Sequence, residues 1–169
     1  CVLSVYPSFA VLAFRYTSNL LNTWKDILYP LQIKVEGNCG DCKVQKSYNN
    51  MWEKLKQDVL RDLKEIKTQT NLDSLIITGV GLGGGLSALS YIDIAFQNIF
   101  SRMKLITFGA PRVGNKYWAA YFDLITLGYT KRYFVYGDPI VFMPRCFALL
   151  CNYRHTGIKV VCYQETRTC

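Results

Sequence analysis

The sequence predicts an α/β fold with a mostly parallel central sheet that is flanked by helices. Short apolar runs typical of buried strands alternate along the chain with longer stretches whose apolar residues recur at helical spacing. Parallel strands have to be joined by crossover segments, so this alternation indicates repeated strand–helix–strand units. The 169 residues are 50% hydrophobic and 14% aromatic, and they contain no internal repeat or linker. We therefore expect one folded domain over residues 1–169.

The first half of the chain contains two predicted strands and a long amphipathic helix. Residues 9–14 form a continuous apolar run, residues 17–30 begin as a loop and continue at helical spacing, and residues 31–35 alternate as in a strand. Residues 48–67 carry their apolar side chains on one stripe of a helix. The stripe consists of Tyr48, Trp52, Leu55, Val59, Leu63 and Ile66.

The second half continues the alternation of buried strands and helices. In chain order, the predicted elements are a strand at 74–78, a helix at 82–99, a strand at 104–108, a helix at 115–125, and strands at 131–136 and 157–163. The helix at 82–99 carries Leu86, Leu89, Ile92 and Phe96 at helical spacing.

The seven cysteines indicate an oxidising compartment, and hence a secreted, extracellular protein. Six of them lie in three pairs that are close in sequence, and Cys1 is left over. The pairs are Cys39 and Cys42, Cys146 and Cys151, and Cys162 and Cys169. Zinc, the alternative for C-x-x-C, needs four ligands, and the next cysteine after Cys42 lies more than a hundred residues on. We expect a disulfide within each of these three pairs, and we expect no metal or cofactor.

The formal net charge is +8, from 20 basic and 12 acidic residues. The basic residues are spread along the chain and are interleaved with acids in residues 52–67, which is typical of a solvated helix face. The net charge leaves attraction to anionic surfaces as an open alternative, but we expect no nucleic-acid partner. No apolar run reaches membrane-spanning length.

Residues 79–84 read G-V-G-L-G-G and lie between a predicted strand and a predicted helix. This pattern satisfies the dinucleotide-binding G-x-G-x-x-G, but that site also needs an acid about 20 residues on, at the end of the next strand. The next strand ends T-F-G-A-P-R, without an acid, and no Lys-Ser/Thr of a P-loop follows the glycines. The other interpretation is the nucleophile elbow G-x-S-x-G, with Gly81 at the serine position.

Residues 78–85, T-G-V-G-L-G-G-G, resemble the T-G-H-S-L-G-G-A elbow of the class 3, or fungal-type, lipases. Further segments resemble the same family, and the most specific is L-I-T-F-G-A-P-R-V-G-N at 105–115. The others are 13–18, 22–24, 39–52, 133–145 and 153–157. The cysteines are similar to those of secreted nematode members. The resemblance implies an α/β-hydrolase fold that lacks some of the family's N-terminal segment.

The resemblance also implies site residues. Asp138 falls on the triad acid, His155 on the general base and Gly81 on the nucleophile position. Thr17 and the backbone N–H of Leu82 fall on the oxyanion hole. The order nucleophile, acid, base is the one that α/β-hydrolases use. We therefore expect a hydrogen bond between Asp138 and His155, with His155 directed at Gly81.

Structural roles for the acid and the histidine are equally open. Asp138 precedes Pro139 and has the character of a turn residue. His155 is the only histidine of the chain, and its ring could be satisfied by a backbone carbonyl. Both alternatives would leave the two residues without a part in catalysis.

Gly81 has no side chain, so no acyl-enzyme can form there. Val80 and Tyr16 also replace the His and Gly of the family pattern. The sequence therefore predicts a secreted, lipase-like pseudoenzyme that binds a lipid, a fatty acid, or a host or extracellular protein. The alternative is an active triacylglycerol lipase or carboxylic ester hydrolase, and a remote one is a nucleotide-binding module. For the first interpretation we expect Gly81→Ser to raise ester hydrolysis above background.

Overall fold

The computed structural model describes residues 1–15, 32–34, 39–144, 152–163 and 168–169. The predicted helical segment at 17–30 lies outside these residues. The described strands are β1 (Val2–Val5), β2 (Ala10–Phe14), β3 (Gln32–Lys34), β4 (Lys43–Gln45), β5 (Ser74–Val80), β6 (Arg102–Phe108), β7 (Gly114–Asn115), β8 (Thr130–Val135), β9 (Tyr153–Arg154) and β10 (Ile158–Cys162). The described helices are α1 (Lys46–Thr70), α2 (Leu82–Phe96) and α3 (Lys116–Thr126), with a 3₁₀ turn at Ile140–Phe142.

Six strands form the main sheet in the order β1-β2-β5-β6-β8-β10. Every neighbouring pair from β2 to β10 is parallel, and β1 is antiparallel to β2. Strands β3, β4, β7 and β9 form a small antiparallel sheet. The predicted α/β fold with a mostly parallel sheet is confirmed.

Helix α2 packs on the middle of the main sheet, against β2, β5 and β6. Side chains alternate between the faces of a strand, and along β5 Leu75 and Ile77 are buried, whereas Ile76 is partly exposed. Helix α1 packs on α2 through Trp52, which is 1% exposed. The Trp52 indole N–H donates to Asp93 Oδ2 at 2.6 Å. These contacts place the core on the helix side of the sheet.

The amphipathic stripe predicted for α1 is confirmed in its main members. Four of its six residues are buried, namely Tyr48, Trp52, Val59 and Leu63, and Leu55 and Ile66 pack against the core. The helix ends at Thr70 because Asn71 adopts a left-handed conformation (φ 52°) and its N–H donates to Lys67 O at 3.0 Å. None of the described helices is long and apolar enough to cross a membrane.

Strand β1 was not predicted from the sequence. Val2–Val5 pairs with β2 through a short connection, in which Tyr6 N–H donates to Phe9 O at 2.9 Å. The rings of Tyr6 and Phe9 stack with centroids 4.9 Å apart. The alternation of Val2–Val5 is too short to predict a strand alone, so its pairing depends on this aromatic turn and on the exposed edge of β2.

Two of the predicted disulfides are formed, Cys39–Cys42 and Cys162–Cys169. Cys1 is exposed and unpaired among the described residues. The third predicted pair, Cys146 and Cys151, lies outside them.

Asp73 ties the start of β5 to the start of β6 and to α1. Its carboxylate accepts hydrogen bonds from the Ser101 hydroxyl and from Ser101 N–H (3.2 Å), and it pairs with Lys67 Nζ at 3.0 Å. These contacts, chiefly the Ser101 hydroxyl and then Lys67, hold the pKa of Asp73 below its ordinary value of 3.8. A lowered carboxyl pKa stabilises the fold above the ordinary pKa, and this contribution is lost as the pH falls through the folded-state value.

We therefore expect Asp73→Asn to lower the free energy of unfolding at pH 7 and to make its decline below about pH 4 shallower. Urea unfolding between pH 7 and pH 2.5 measures both effects. Asp58→Asn is the matched control, because the Asp58–Arg61 pair is 67% exposed on both sides and such pairs contribute little. Identical acid profiles for Asp73→Asn and the wild type would contradict this role.

Candidate active site

The turn between β5 and α2 consists of Gly81 alone. Its backbone angles are φ 54° and ψ −123°, a conformation that residues with a Cβ rarely adopt. Gly81 N–H donates to Phe108 O at 2.8 Å, and Gly81 O accepts from Gly84 N–H at 3.0 Å. The strand therefore turns into the helix within one residue, which is the backbone arrangement of a nucleophile elbow.

The flanking Gly79 lets the helix start close against the strand. A Cβ at Gly79 would lie 2.4 Å from Gly83 C and O and 2.6 Å from Ser87 Oγ. A Cβ at Gly81, in contrast, would meet no atom of the described residues within 4 Å. Toward these residues the space into which a nucleophile would project is therefore open, and it is the backbone conformation at Gly81 that opposes a side chain.

Leu82 is the first residue of α2. Its N–H belongs to the first turn of the helix, whose N–H groups lack partners within the helix, so it suits the predicted oxyanion-hole position. The other predicted oxyanion residue, Thr17, lies outside the described residues, as does Tyr16.

Asp138 lies at the same edge of the sheet as Gly81, after the end of β8. A Cβ on Gly109, just beyond the end of β6, would lie 3.1 Å from Asp138 Oδ2. Asp138 Oδ1 accepts the N–H of Ile140 at 2.9 Å, and Asp138 N–H donates to Val135 O at 3.1 Å. The carboxylate thus closes the turn that starts the 3₁₀ segment, which is a contact typical of an aspartate in a turn.

His155 binds a backbone carbonyl. Its Nε2 lies 2.6 Å from Val141 O, and because a carbonyl only accepts, Nε2 carries the proton. Burial lowers the pKa of His155 to about 3, with the charges of Arg132 and Arg112 acting in the same direction and the bond to Val141 opposing them. The ring is therefore neutral at pH 7, with Nδ1 unprotonated.

The predicted hydrogen bond between Asp138 and His155 is wrong for the described residues. Each side chain binds a main-chain group of the 138–141 segment instead. The contact of His155 with a backbone carbonyl, which the sequence left open, is present. The catalytic roles of Asp138, His155, Gly81 and Leu82 stay predictions.

Sequence reasoning missed the arginines around His155. Arg132 is 8% exposed, and burial, then the neighbouring Arg112, lowers its pKa. Arg112 Nη1 donates to Pro144 O at 3.3 Å. A cavity of about 10 Å³ lies beside Arg132, Thr130 and His155, which is room for about one water. The only signal was Arg112 in the G-A-P-R segment.

Residues 11–148 match the family described as Lipase (class 3). The chain belongs to the class 3 lipase family. It is 27% identical over 137 residues to secreted mono- and diacylglycerol lipase A of Penicillium cyclopium, covering 81% of this chain and 43% of that protein. It is also 27% identical over 129 residues to secreted mono- and diacylglycerol lipase 2 of Gibberella zeae, covering 67% of this chain and 32% of that protein. This class 3 lipase chain thus spans less than half the length of these relatives.

Solved lipase structures share the fold of this class 3 lipase chain. Lipase II from Rhizopus niveus superposes with a TM-score of 0.79 at 23% identity, covering 90% of this chain and 57% of that one. The triacylglyceride lipase of Rhizomucor miehei gives a TM-score of 0.81 at 20% identity, covering 95% of this chain and 59% of that one. These similarities establish the α/β-hydrolase-like fold.

Proposed function

We propose that this chain is a secreted, lipase-like pseudoenzyme domain that does not hydrolyse esters at its elbow. The observation that carries the proposal is that the elbow residue, Gly81, has no side chain. Acyl transfer on this plan requires an attacking oxygen, a base that takes its proton and an acid that orients the base. The attacking oxygen is missing from the position where the backbone would present it.

The described hydroxyl groups at the strand–helix junction, those of Thr78 and Ser87, do not replace that oxygen. Ser87 is fully buried, and its single hydroxyl proton is shared between Thr78 O at 2.7 Å and Gly83 O at 2.8 Å. Thr78 Oγ1 donates to Ile106 O at 2.7 Å. Both hydroxyls therefore bind main-chain carbonyls of the strand–helix junction, and neither faces the open space beside Gly81.

The state of His155 also supports the proposal. A triad base presents an unprotonated Nε2 to the nucleophile and donates its Nδ1 proton to the acid. His155 has the opposite tautomer, because Nε2–H is held by Val141 O. A general base works best with a pKa near the working pH, whereas the pKa of His155 is lowered to about 3. Restoring the oxygen alone would therefore leave it without an activated base.

Without hydrolysis, the role that remains is binding, with a lipid, a fatty acid or an extracellular protein as the ligand. The two formed disulfides and the relatives that are named secreted lipases support an extracellular location.

An active carboxylic ester hydrolase is the second candidate. Two observations favour it: the relatives are named lipases, and the elbow backbone is kept although glycine is free to leave that conformation. This candidate requires an attacking oxygen from outside position 81.

Adding a serine at the elbow separates these possibilities. We expect Gly81→Ser to hydrolyse p-nitrophenyl butyrate within about 10-fold of the wild type, since a serine without a positioned base is a weak nucleophile. This replaces the expectation of rescue from sequence alone. The assay is run on the wild type, Gly81→Ser and Gly81→Ser/His155→Ala, with phosphonate labelling of the serine followed by intact mass.

Two outcomes would contradict the account. A large gain in Gly81→Ser that His155→Ala removes would mean that His155 leaves Val141 and works as a base. Lipase-like turnover by the wild type would establish the hydrolase candidate instead.

A further inference from the structure

A second cavity lies at the opposite edge of the main sheet from Gly81. It has a volume of about 890 Å³ and is lined where β5 and β6 begin, where α2 and α3 end, and by Tyr129 before β8. Ligand cavities commonly measure about 300–1,000 Å³. Strand β5 has seven residues, so this edge is roughly 20 Å from the elbow at about 3.3 Å per residue.

We call this the amino-edge cavity, because it lies at the edge of the sheet where β5 and β6 begin. Its wall is largely apolar. Phe96, Leu127 and Tyr129 line it and are 52%, 75% and 63% exposed. Phe100 and Met103 also line the cavity. Single exposed apolar residues are normal, but several around one concave surface indicate a binding site.

Leu127 is held in a conformation that leucine rarely adopts. Its φ is 47°, at the C-terminal end of α3. A left-handed leucine is strained, and such residues cluster at functional sites. Asn98, which also lines the cavity, has a φ of 51°. Asparagine adopts this conformation readily, so of these two residues it is Leu127 that has an unfavourable backbone, and it presents an exposed apolar side chain.

Among the described residues that line the amino-edge cavity there are two cations and no acid. Arg102 and Lys104 lie two residues apart on β6, so they project from the same face of the strand. Both are exposed, and neither forms an ion pair within the described part of the chain. Asp73, whose carbonyl accepts Arg102 N–H at 3.1 Å, directs its carboxylate to Ser101 and Lys67 instead. No described acid therefore compensates the positive charge at this rim.

We propose that this cavity binds the carboxylate of a long-chain fatty acid. The acyl chain lies along the wall of Phe96, Leu127 and Tyr129, and the carboxylate pairs with Arg102 and Lys104. An apolar wall next to two unpaired cations matches an anionic amphiphile and disfavours a neutral or cationic one. The site goes beyond the proposed function, since it is separate from the elbow and requires no chemistry at Gly81.

Isothermal titration of the purified chain with oleate, below its micelle concentration, tests the site. We expect saturable binding of one oleate, and weaker binding of oleyl alcohol, which has the same chain without the charge. Arg102→Gln/Lys104→Gln should raise the Kd for oleate by about 10-fold or more and leave that for oleyl alcohol nearly unchanged. Lys54→Gln/Lys64→Gln, which removes the same charge from exposed positions on α1, should change neither.

Leu127→Asp is the complementary variant. Aspartate tolerates the left-handed conformation better than leucine, so the fold should persist, while the new carboxylate should repel oleate. Circular dichroism checks the fold of each variant. Failure of oleate to bind, or equal binding by all variants, would overturn the site. Loss of oleate binding in Leu82→Asp alone would place the fatty acid at the elbow, which overturns this inference but keeps lipid binding in the proposed function.

Discussion

Gly79→Ala is expected to destabilise the chain by at least about 3 kcal/mol or to prevent folding. The added Cβ would lie 2.4 Å from the backbone of Gly83, and overpacking of a core already costs about 1–3 kcal/mol when side chains can give way. Here the obstacle is main chain on one side, and on the other Gly79 is paired between β2 and β6 in the sheet. Neither the strand nor the helix can move without breaking the elbow.

Two other glycines provide matched controls for chemical denaturation. At Gly40 a Cβ would meet no atom of the described residues within 4 Å, so Gly40→Ala should be nearly neutral. At Gly81 there is space but φ is 54°, so Gly81→Ala should cost about 1–3 kcal/mol. The expected order of destabilisation is Gly79, then Gly81, then Gly40. A Gly79→Ala protein as stable as Gly40→Ala would show that α2 does not start against β5 as described.

The wild type is expected to lose roughly 2–3 kcal/mol of unfolding free energy between pH 7 and pH 4.5 through His155. The ordinary pKa of 6.5 applies to the unfolded chain, whereas burial and the charges of Arg132 and Arg112 lower the folded value to about 3. Below pH 6.5 the unfolded chain therefore binds a proton that the folded chain does not. The free energy of unfolding therefore decreases as the pH is lowered through this window, and it levels off near the folded-state pKa.

His155→Gln is the matched variant for this pH dependence. Glutamine does not titrate, and its amide N–H can donate to Val141 O as the ring does. Because His155 is the only histidine, the free energy of unfolding of the variant, measured with urea, should change little between pH 7 and pH 4.5. An equal slope in both proteins, or a flat wild type, would mean that His155 is exposed to solvent and available as a base.

The elements with strong periodicity could be predicted from the sequence. The stripe of α1 and the apolar runs of β5 and β6 report burial directly, since each side chain faces either the core or solvent. Strand β1 could not be predicted because four residues carry too little pattern, and its pairing depends on the stacked rings of Tyr6 and Phe9. Of the small antiparallel sheet, only β3 was predicted, from the alternation of residues 31–35. Strands β4, β7 and β9 have two or three residues each and carry too little pattern to be predicted.

The candidate site could be predicted only in part. The elbow and the place of Asp138 at the carboxyl edge follow from motif order, since parallel strands end at the same edge. The tautomer of His155 does not follow, because it depends on the Val141 carbonyl that the 3₁₀ turn presents. Arg132 was also missed, since burial of a charged side chain leaves no signal in a single sequence. The amino-edge cavity is formed by residues from several separate elements, which only the fold brings together.

The elbow of this chain lacks a nucleophile, and we propose that no ester is hydrolysed there. The most direct test is turnover of p-nitrophenyl butyrate by the wild-type protein at pH 7, compared with its Gly81→Trp variant, which fills the open space beside the elbow. We predict that both proteins stay at the rate of the buffer. Turnover by the wild type at a lipase-like rate, abolished in Gly81→Trp with the fold intact, would contradict the claim and place an active ester hydrolase at this turn.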